Sequence, residues 1–392
     1  MRATRALIYL DRFRGNLRAV ADRIGKRRIC VPVKADAYGH GALPLARAAL
    51  KAGADSLAVA LVQEGEELRQ GGIRAPILLL SQAMPEELAD LVKHTLSPLV
   101  SDGTYIDALA KTARAAGQRL DLHLKIDTGM GRAGCRPEEA AALAAQILSH
   151  KNLRLAGLAT HLAVSDSASP GDRAYTGEQL QRFASAVTAV RAAGIDPGII
   201  HAANTGGVFY HPDSWFDMVR PGILLYGYGP RPGTAAPPEL PAIIPRPVME
   251  LHSKIAAIKP IRRGETVSYG RTWTAAEDTL VALIPAGYAD GLRRDLGGAW
   301  HIAIRGSAYP IVGRICMDQC MVNLGSPGHS PPPSPGDNVI LFGEAPTPCT
   351  PPPPGAPQCG DAALMAESLG TIPYEITCGI SKRVPRVYVD HP

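Results

Sequence analysis

Over the first 230 or so residues the sequence alternates short apolar runs with longer segments rich in Ala, Leu, Glu and Arg, and this alternation restricts the fold more than any other feature. The runs at 29–33, 56–60, 77–80, 96–100, 120–126, 155–160, 198–202 and 223–226 have the length of buried strands. Between them, 43–51, 64–69, 85–93, 104–115, 137–149 and 177–193 carry helical spacing. Pro137 suits a helix start, and Gly53, Gly117 and Gly194 suit helix stops. Eight strands with intervening helices point to a parallel, TIM-like (β/α)8 barrel, although the pattern alone also admits a doubly wound open sheet.

After Pro245 the helical spacing disappears. Strand-like segments at 250–258, 265–269, 279–285, 300–305 and 339–342 follow one another, separated by Gly- and Pro-bearing turns. The expected fold is therefore α/β: an N-terminal barrel over 1–240, then a mainly β C-terminal domain over 241–392. The proline-rich stretch 230–247 is the natural boundary. Twelve prolines fall between 327 and 357, and the runs at 327–335 and 346–357 read as extended surface insertions that cannot join a ladder.

Composition excludes several classes. The chain has 392 residues, 46% apolar and 20% charged, which fits a globular protein of about two domains. Its formal charge of +5 is mild and unclustered, so no nucleic-acid partner is expected. No apolar run approaches the ~20 residues that span a bilayer, and the N-terminal stretch is too short for a secretory signal. We therefore expect no membrane partner and a cytoplasmic location. The seven cysteines are scattered and read as reduced thiols. Cys316 and Cys320 lack a second ligand pair at zinc spacing, so no metal site is expected.

The chemistry starts at Lys34, which closes an apolar strand and so belongs at the carboxyl rim, where barrel active sites lie. Desolvated by Val31 and Val33, its amine would titrate low enough to form a Schiff base with an aldehyde. On position alone, a strand-end lysine is more often a surface charge. The surrounding string, VKADAYGHG, resembles the pyridoxal-phosphate lysine motif of the alanine racemase family, with Asp36 where the family has Asn. Further family-like blocks follow in order: KIDTGMGRAG at 125–134, THLAVSD at 160–166, HAANTGG at 201–207 and MVRPGILLYG at 218–227. VSYGRTW at 267–273, IPAGYADG at 284–291, VGRICMDQ at 312–319 and TIPYEITCGISKRVPR at 371–386 complete the series.

This resemblance implies interconversion of L- and D-alanine, with D-alanine supplied for peptidoglycan. Lys34 would carry pyridoxal 5'-phosphate and act as base on one face of the substrate Cα. Tyr269, contributed by the partner of a head-to-tail homodimer, would act on the other. His161 would link Tyr269 to Arg220, and Arg220 would donate to the pyridine nitrogen, leaving it unprotonated. Tyr38, Thr205, Gly222, Ile223 and Tyr374 would bind the phosphate. Arg132 would contact the cofactor's phenolic oxygen and the substrate carboxylate, oriented by a carbamylated Lys125. Met317 and Tyr288 would bind the substrate, beside Asp318, and Asp166, Arg294 and Arg314 would line the access corridor.

His123 stands opposite the apolar file Leu120, Leu122, Leu124 and Ile126, and reads as structural. The same residues bear on three other activities. A serine or broad-specificity racemase stays open, because pocket size decides it. A decarboxylase of the same fold type would place an acid, not Arg220, at the pyridine nitrogen. A non-catalytic carrier of the cofactor would lack the β domain and Tyr269.

Overall fold

The structure, a computed structural model, describes residues 2–229, 242–326, 333–344 and 359–390. Residues 327–332 and the proline run at 346–357 lie outside the described residues, as does most of the 230–247 boundary. The chain divides into two compact units, one of residues 13–37 and 41–246, the other of 1–12, 38–40 and 247–392.

The first unit is the eight-stranded parallel barrel. Its strands are Arg28–Pro32, Ser56–Val59, Ile77–Leu79, Ser97–Val100, Leu120–Lys125, Leu153–Ala159, Ile199–His201 and Met218–Val219. The first seven pair in sequence order, and the eighth pairs with the first through Arg28↔Met218 and Ile29↔Val219. Backbone bonds from Asp217 N to Ile200 O (3.0 Å) and from Arg220 N to Ala203 O (2.9 Å) tie the seventh strand to the eighth.

The eighth strand is not the one expected from the sequence. Residues Ile223–Tyr226 form a 3-10 turn that ends at Gly227, whose φ of 98° only glycine adopts readily. All four residues of that turn are buried. A short apolar run looks the same whether it fills a core as a strand or as a turn, which is why the pattern misplaced it. The helix Leu10–Ile24 also went unread, and the helix expected at 177 begins earlier, at Pro170, where the Ser169 hydroxyl accepts from Asp172 N (3.2 Å).

Side chains alternate along each strand, so polarity can be graded along the barrel axis. One interior layer is apolar: Cys30, Ala58, Leu78 and Met218, with Leu80, Leu99 and Ile199 against it. One step towards the carboxyl ends, the same files carry His201 after Ile199 and Arg220 after Met218. An apolar floor thus supports a polar rim.

The second unit is built on a nine-stranded sheet in the order Ala257–Ile261, Thr279–Ile284, Cys320–Gly325, Ser307–Val312, His301–Ile304, Asn338–Phe342, Met249–Lys254, Arg5–Tyr9, Arg386–Val389. All pairings are antiparallel except Arg5–Tyr9 with Arg386–Val389. Buried Trp300 anchors the core and donates from its indole to Leu341 O (2.8 Å). Helical spacing does return here, in Ala362–Ser368 and Pro373–Gly379, both too short for the periodicity to register. Among the described residues, no helix is long and apolar enough to cross a membrane.

Candidate active site

The strand Arg28–Pro32 delivers Lys34 to the barrel rim, and the chain then turns in an unusual way. Ala35, Asp36, Ala37 and Tyr38 all have φ between 51° and 53°, and Gly39 follows at 82°. Left-handed backbone costs a residue with a Cβ roughly 1–2 kcal/mol, so four in a row need external support. Ala37 N donates to Val33 O (2.8 Å) and Gly41 N to Asp36 O (2.8 Å). The Asp36 carboxylate accepts from Ala42 N (2.7 Å). Asp36 therefore keeps what an Asn would supply there, tolerance of the left-handed region and a side-chain oxygen.

Arg220 is buried, and both terminal nitrogens of its guanidinium have partners. Nη1 donates to His201 Nδ1 (2.6 Å), while Nη2 donates to Thr160 O (2.8 Å) and Ala202 O (3.2 Å) and lies 3.4 Å from His161 Nδ1. His201 Nε2 in turn meets His123 Nδ1 at 2.9 Å. Arginine only donates, so His201 Nδ1 must be bare and its proton must sit on Nε2, pointing at His123. Both imidazoles are held neutral. Burial, with Arg220 beside it, pushes His201 well down, and burial takes His123 down to about 4. Burial also lowers Arg220, to about 10. His123 thus has a partner in the polar rim, which alternation alone could not reveal. Gly157 makes room for it, since a Cβ there would strike both His123 Nδ1 and Ile199 O.

His161 marks where the cationic residues meet. Its pKa lies well below the usual value, through burial first and then through Arg220, Lys125, Arg132 and Lys34. Burial, Arg220 and Arg132 take the Lys125 amine down to about 7. Arg132 projects from the loop after Lys125, which Asp127 shapes by accepting from Gly129 N (2.9 Å) and Gly131 N (3.1 Å). Thr205 Oγ1 accepts from Gly222 N (3.1 Å) and Leu224 N (3.4 Å), so its own proton is directed elsewhere. The neighbouring Ser165 hydroxyl donates to Asn204 Oδ1 (2.6 Å), which brings exposed Asp166 beside the start of the helix Thr205–Tyr210. The structure thus gathers Lys34, Lys125, Arg132, His161 and Arg220 in the barrel, with Thr205, Gly222, Ile223 and Asp166 on adjoining turns.

The second unit carries the remaining residues. Tyr269 is 71% exposed at the tip of a strained turn, with Ser268, Gly270 and Arg271 all at positive φ. Ser268 Oγ donates to Arg314 O (2.6 Å), fixing that turn to the strand–turn segment that bears Met317. Tyr288 and Met317, 44% and 53% exposed, are joined through their backbones: Tyr288 N donates to Cys316 O and Ala289 N to Met317 O, both at 3.0 Å. Fully buried Asp290 accepts from Gly287 N (3.0 Å) and from Arg383 Nε (2.7 Å), and Arg383 Nη2 reaches Asp318 Oδ1 (2.6 Å). Asp290 and Arg383 were not singled out from sequence, because 93 residues separate them. Tyr38 and Tyr374 lie ring against ring, with centroids 5.5 Å apart and planes at 60°. Arg294 is exposed on the short turn Arg294–Leu296.

Comparison with known proteins gives one consistent result. Residues 8–230 match the alanine racemase N-terminal domain, and residues 248–388 match the alanine racemase C-terminal domain. Alanine racemase of Treponema denticola is 46% identical, covering 100% of this chain and 99% of that protein. The enzyme of Desulfovibrio desulfuricans is 42% identical, covering 98% of each. Among solved structures, alanine racemase of Clostridium difficile in complex with cycloserine superposes with a TM-score of 0.88 at 34% identity, covering 100% of this chain and 96% of that one. Alanine racemase of Bacillus anthracis with bound L-Ala-P gives 0.87 at 32%, covering 99% and 95%. Matched along nearly its whole length by both domains of one family, the chain belongs to the alanine racemases and is an amino-acid isomerase.

Proposed function

We propose that the protein interconverts L- and D-alanine by a two-base mechanism, using pyridoxal 5'-phosphate, as a homodimer in which each subunit completes its partner's site. The observation that carries this reading is the meeting of four basic side chains, Lys34, Lys125, Arg132 and Arg220, around His161, whose Nδ1 lies 3.4 Å from Arg220 Nη2. Such a site calls for an anionic ligand. One that also carries an aldehyde would make use of the amine at the strand end, so the donor set fits the cofactor. When bound, pyridoxal phosphate supplies an electron sink that acidifies the Cα–H of an attached amino acid.

The chain's own groups do the rest. The Lys34 amine takes or returns a proton on one face of Cα, and the Tyr269 phenol does so on the other; inversion needs a base on each side. Tyrosine titrates near 10 in water, so the phenol needs His161 as a partner, which in turn contacts Arg220. Arg220 would offer the pyridine nitrogen a donor that does not give up its proton, which would leave that nitrogen unprotonated and the electron sink modest, limiting side reactions. The Tyr38 and Tyr374 phenols, the Thr205 hydroxyl and the Ile223 N–H would form the donor set for the phosphate, with the Gly222 N–H shared between the phosphate and Thr205 Oγ1. Arg132 orients the phenolic oxygen and the substrate carboxylate.

Lys125, taken down to about 7 by burial first and then by Arg220 and Arg132, has a substantial share of free amine at neutral pH and is therefore open to carbamylation. The anionic product would pair with Arg132. Met317 N–H and Tyr288 hold the substrate beside Asp318 and narrow the pocket to a small side chain, while Asp166, Arg294 and Arg314 line the corridor. In this reading the barrel unit holds the cofactor, the β unit completes the partner's site, and the product feeds peptidoglycan synthesis in the cytoplasm.

The test is Cα exchange of L-alanine in D2O with added pyridoxal phosphate, read by NMR and chiral analysis for the wild type and Tyr269→Phe. The expected result is deuterium in both enantiomers for the wild type. The variant should bind cofactor but lose racemisation. Exchange confined to the L form in the wild type would overturn the role given to Tyr269. Cofactor binding without exchange would overturn the choice of alanine, with serine the next side chain to try.

A further inference from the structure

The left-handed turn that follows Lys34 is not held from within its own segment alone. Both oxygens of Glu64 are occupied by backbone N–H groups. Oε2 accepts from Ala60 (2.8 Å) and Leu61 (3.1 Å), while Oε1 accepts from Ala35 at 2.5 Å. The Oε2 contacts are an ordinary helix-start arrangement for Val62–Gln70. The Oε1 contact is not, because it reaches back 29 residues to the amide directly after Lys34 and to the first left-handed residue of the turn.

We propose that Glu64 is a positioning residue for the lysine that carries the cofactor: its carboxylate pins the Ala35 amide and so fixes where the strand ends and where the Lys34 amine points. The proposal rests on the reading that Lys34 captures pyridoxal phosphate, a step in which Nζ bonds to the aldehyde carbon and the aldehyde oxygen leaves as water. Three donors converge on this one side chain, and only a carboxylate accepts on both of its oxygens. A glutamine must turn its NH2 towards at least one backbone N–H, and an aspartate is one methylene short of bridging the two segments.

The experiment uses full-length protein freed of cofactor. Capture of pyridoxal phosphate is followed by the visible absorbance of the new C=N bond, with borohydride reduction and peptide mapping to confirm Lys34. Binding of pyridoxine phosphate, which lacks the aldehyde, is measured in parallel. Glu64→Gln should slow capture about 10- to 100-fold, the scale on which small misplacements of a reacting group act. It should leave pyridoxine phosphate binding within about twofold and speed hydrogen exchange at the Ala35 amide.

Asp102→Ala provides the control. It removes an equivalent contact, Tyr105 N to Asp102 Oδ1 (2.8 Å), from another barrel helix. It should lower stability without slowing capture. Unchanged capture in Glu64→Gln, or equal slowing in Asp102→Ala, overturns the positioning role while leaving the cofactor reading intact. Failure of the wild type to be reduced at Lys34 overturns both.

Discussion

Arg220 shows how one buried cation is managed. Among the described residues no carboxylate neutralises its charge, which is spread over two carbonyls and a pair of neutral imidazoles. Replacing His201 by Leu leaves Nη1 without an acceptor. The expected cost is about 2–3 kcal/mol in urea unfolding, with kcat falling more than KM rises.

The same chain makes stability depend on pH. His123 titrates at about 4 in the folded protein against 6.5 ordinarily, so over that window the unfolded chain binds more protons. Stability should be fully present above about pH 6.5 and be lost as pH falls through about 4. Urea midpoints measured across that range should show a shallower slope in His123→Asn than in the wild type. Whether Lys125 is carbamylated can be read from a carbamate resonance after exposure to carbon-13-labelled bicarbonate, and Lys125→Arg should abolish it.

At the scale of the element, the turn after Lys34 and the strand at Gly157 set the tolerances. Asp36→Asn preserves both the left-handed preference and the oxygen facing Ala42 N, so unfolding midpoints should be nearly unchanged. Asp36→Val puts a β-branched residue at φ 53° and deletes that acceptor, and should cost more than about 2 kcal/mol. Gly157→Ala should cost about 1–3 kcal/mol by overpacking His123.

These elements also mark the limit of what could be read from sequence. Seven barrel strands are legible because each is a short apolar burst between helical stretches. The eighth was misplaced because 223–226 is equally apolar as a turn. Lys34 is legible as a strand end. Its support is not, since Glu64 looks like any acid in the first turn of a helix. Nor is the His123–His201 contact, because strand alternation gives the face a residue occupies and not its neighbour across 78 residues.

At the scale of the whole molecule, the proposed sharing of sites has a numerical signature. Lys34→Ala and Tyr269→Phe should each be inactive alone. Random re-pairing of the two gives half heterodimers, each with one intact site, so the mixture should recover about a quarter of wild-type activity. No recovery, with subunit exchange confirmed by mass, would mean that each chain supplies both bases to itself. Tyr269, Tyr288 and Met317, so exposed in the single chain, should become protected from oxidative footprinting as protein concentration rises.

The sheet of the second unit sets a timetable for synthesis. Arg5–Tyr9 leaves the ribosome some 240 residues ahead of Met249–Lys254 and still further ahead of Arg386–Val389, the two strands it pairs with. At about 5–20 residues per second, a strand that must wait some 240 residues for its first partner stays single for roughly 10–50 s. Its second partner emerges later still. For that interval this strand of every nascent chain is an open edge, and on a crowded polysome the nearest candidates to fill it are the same strands of neighbouring chains.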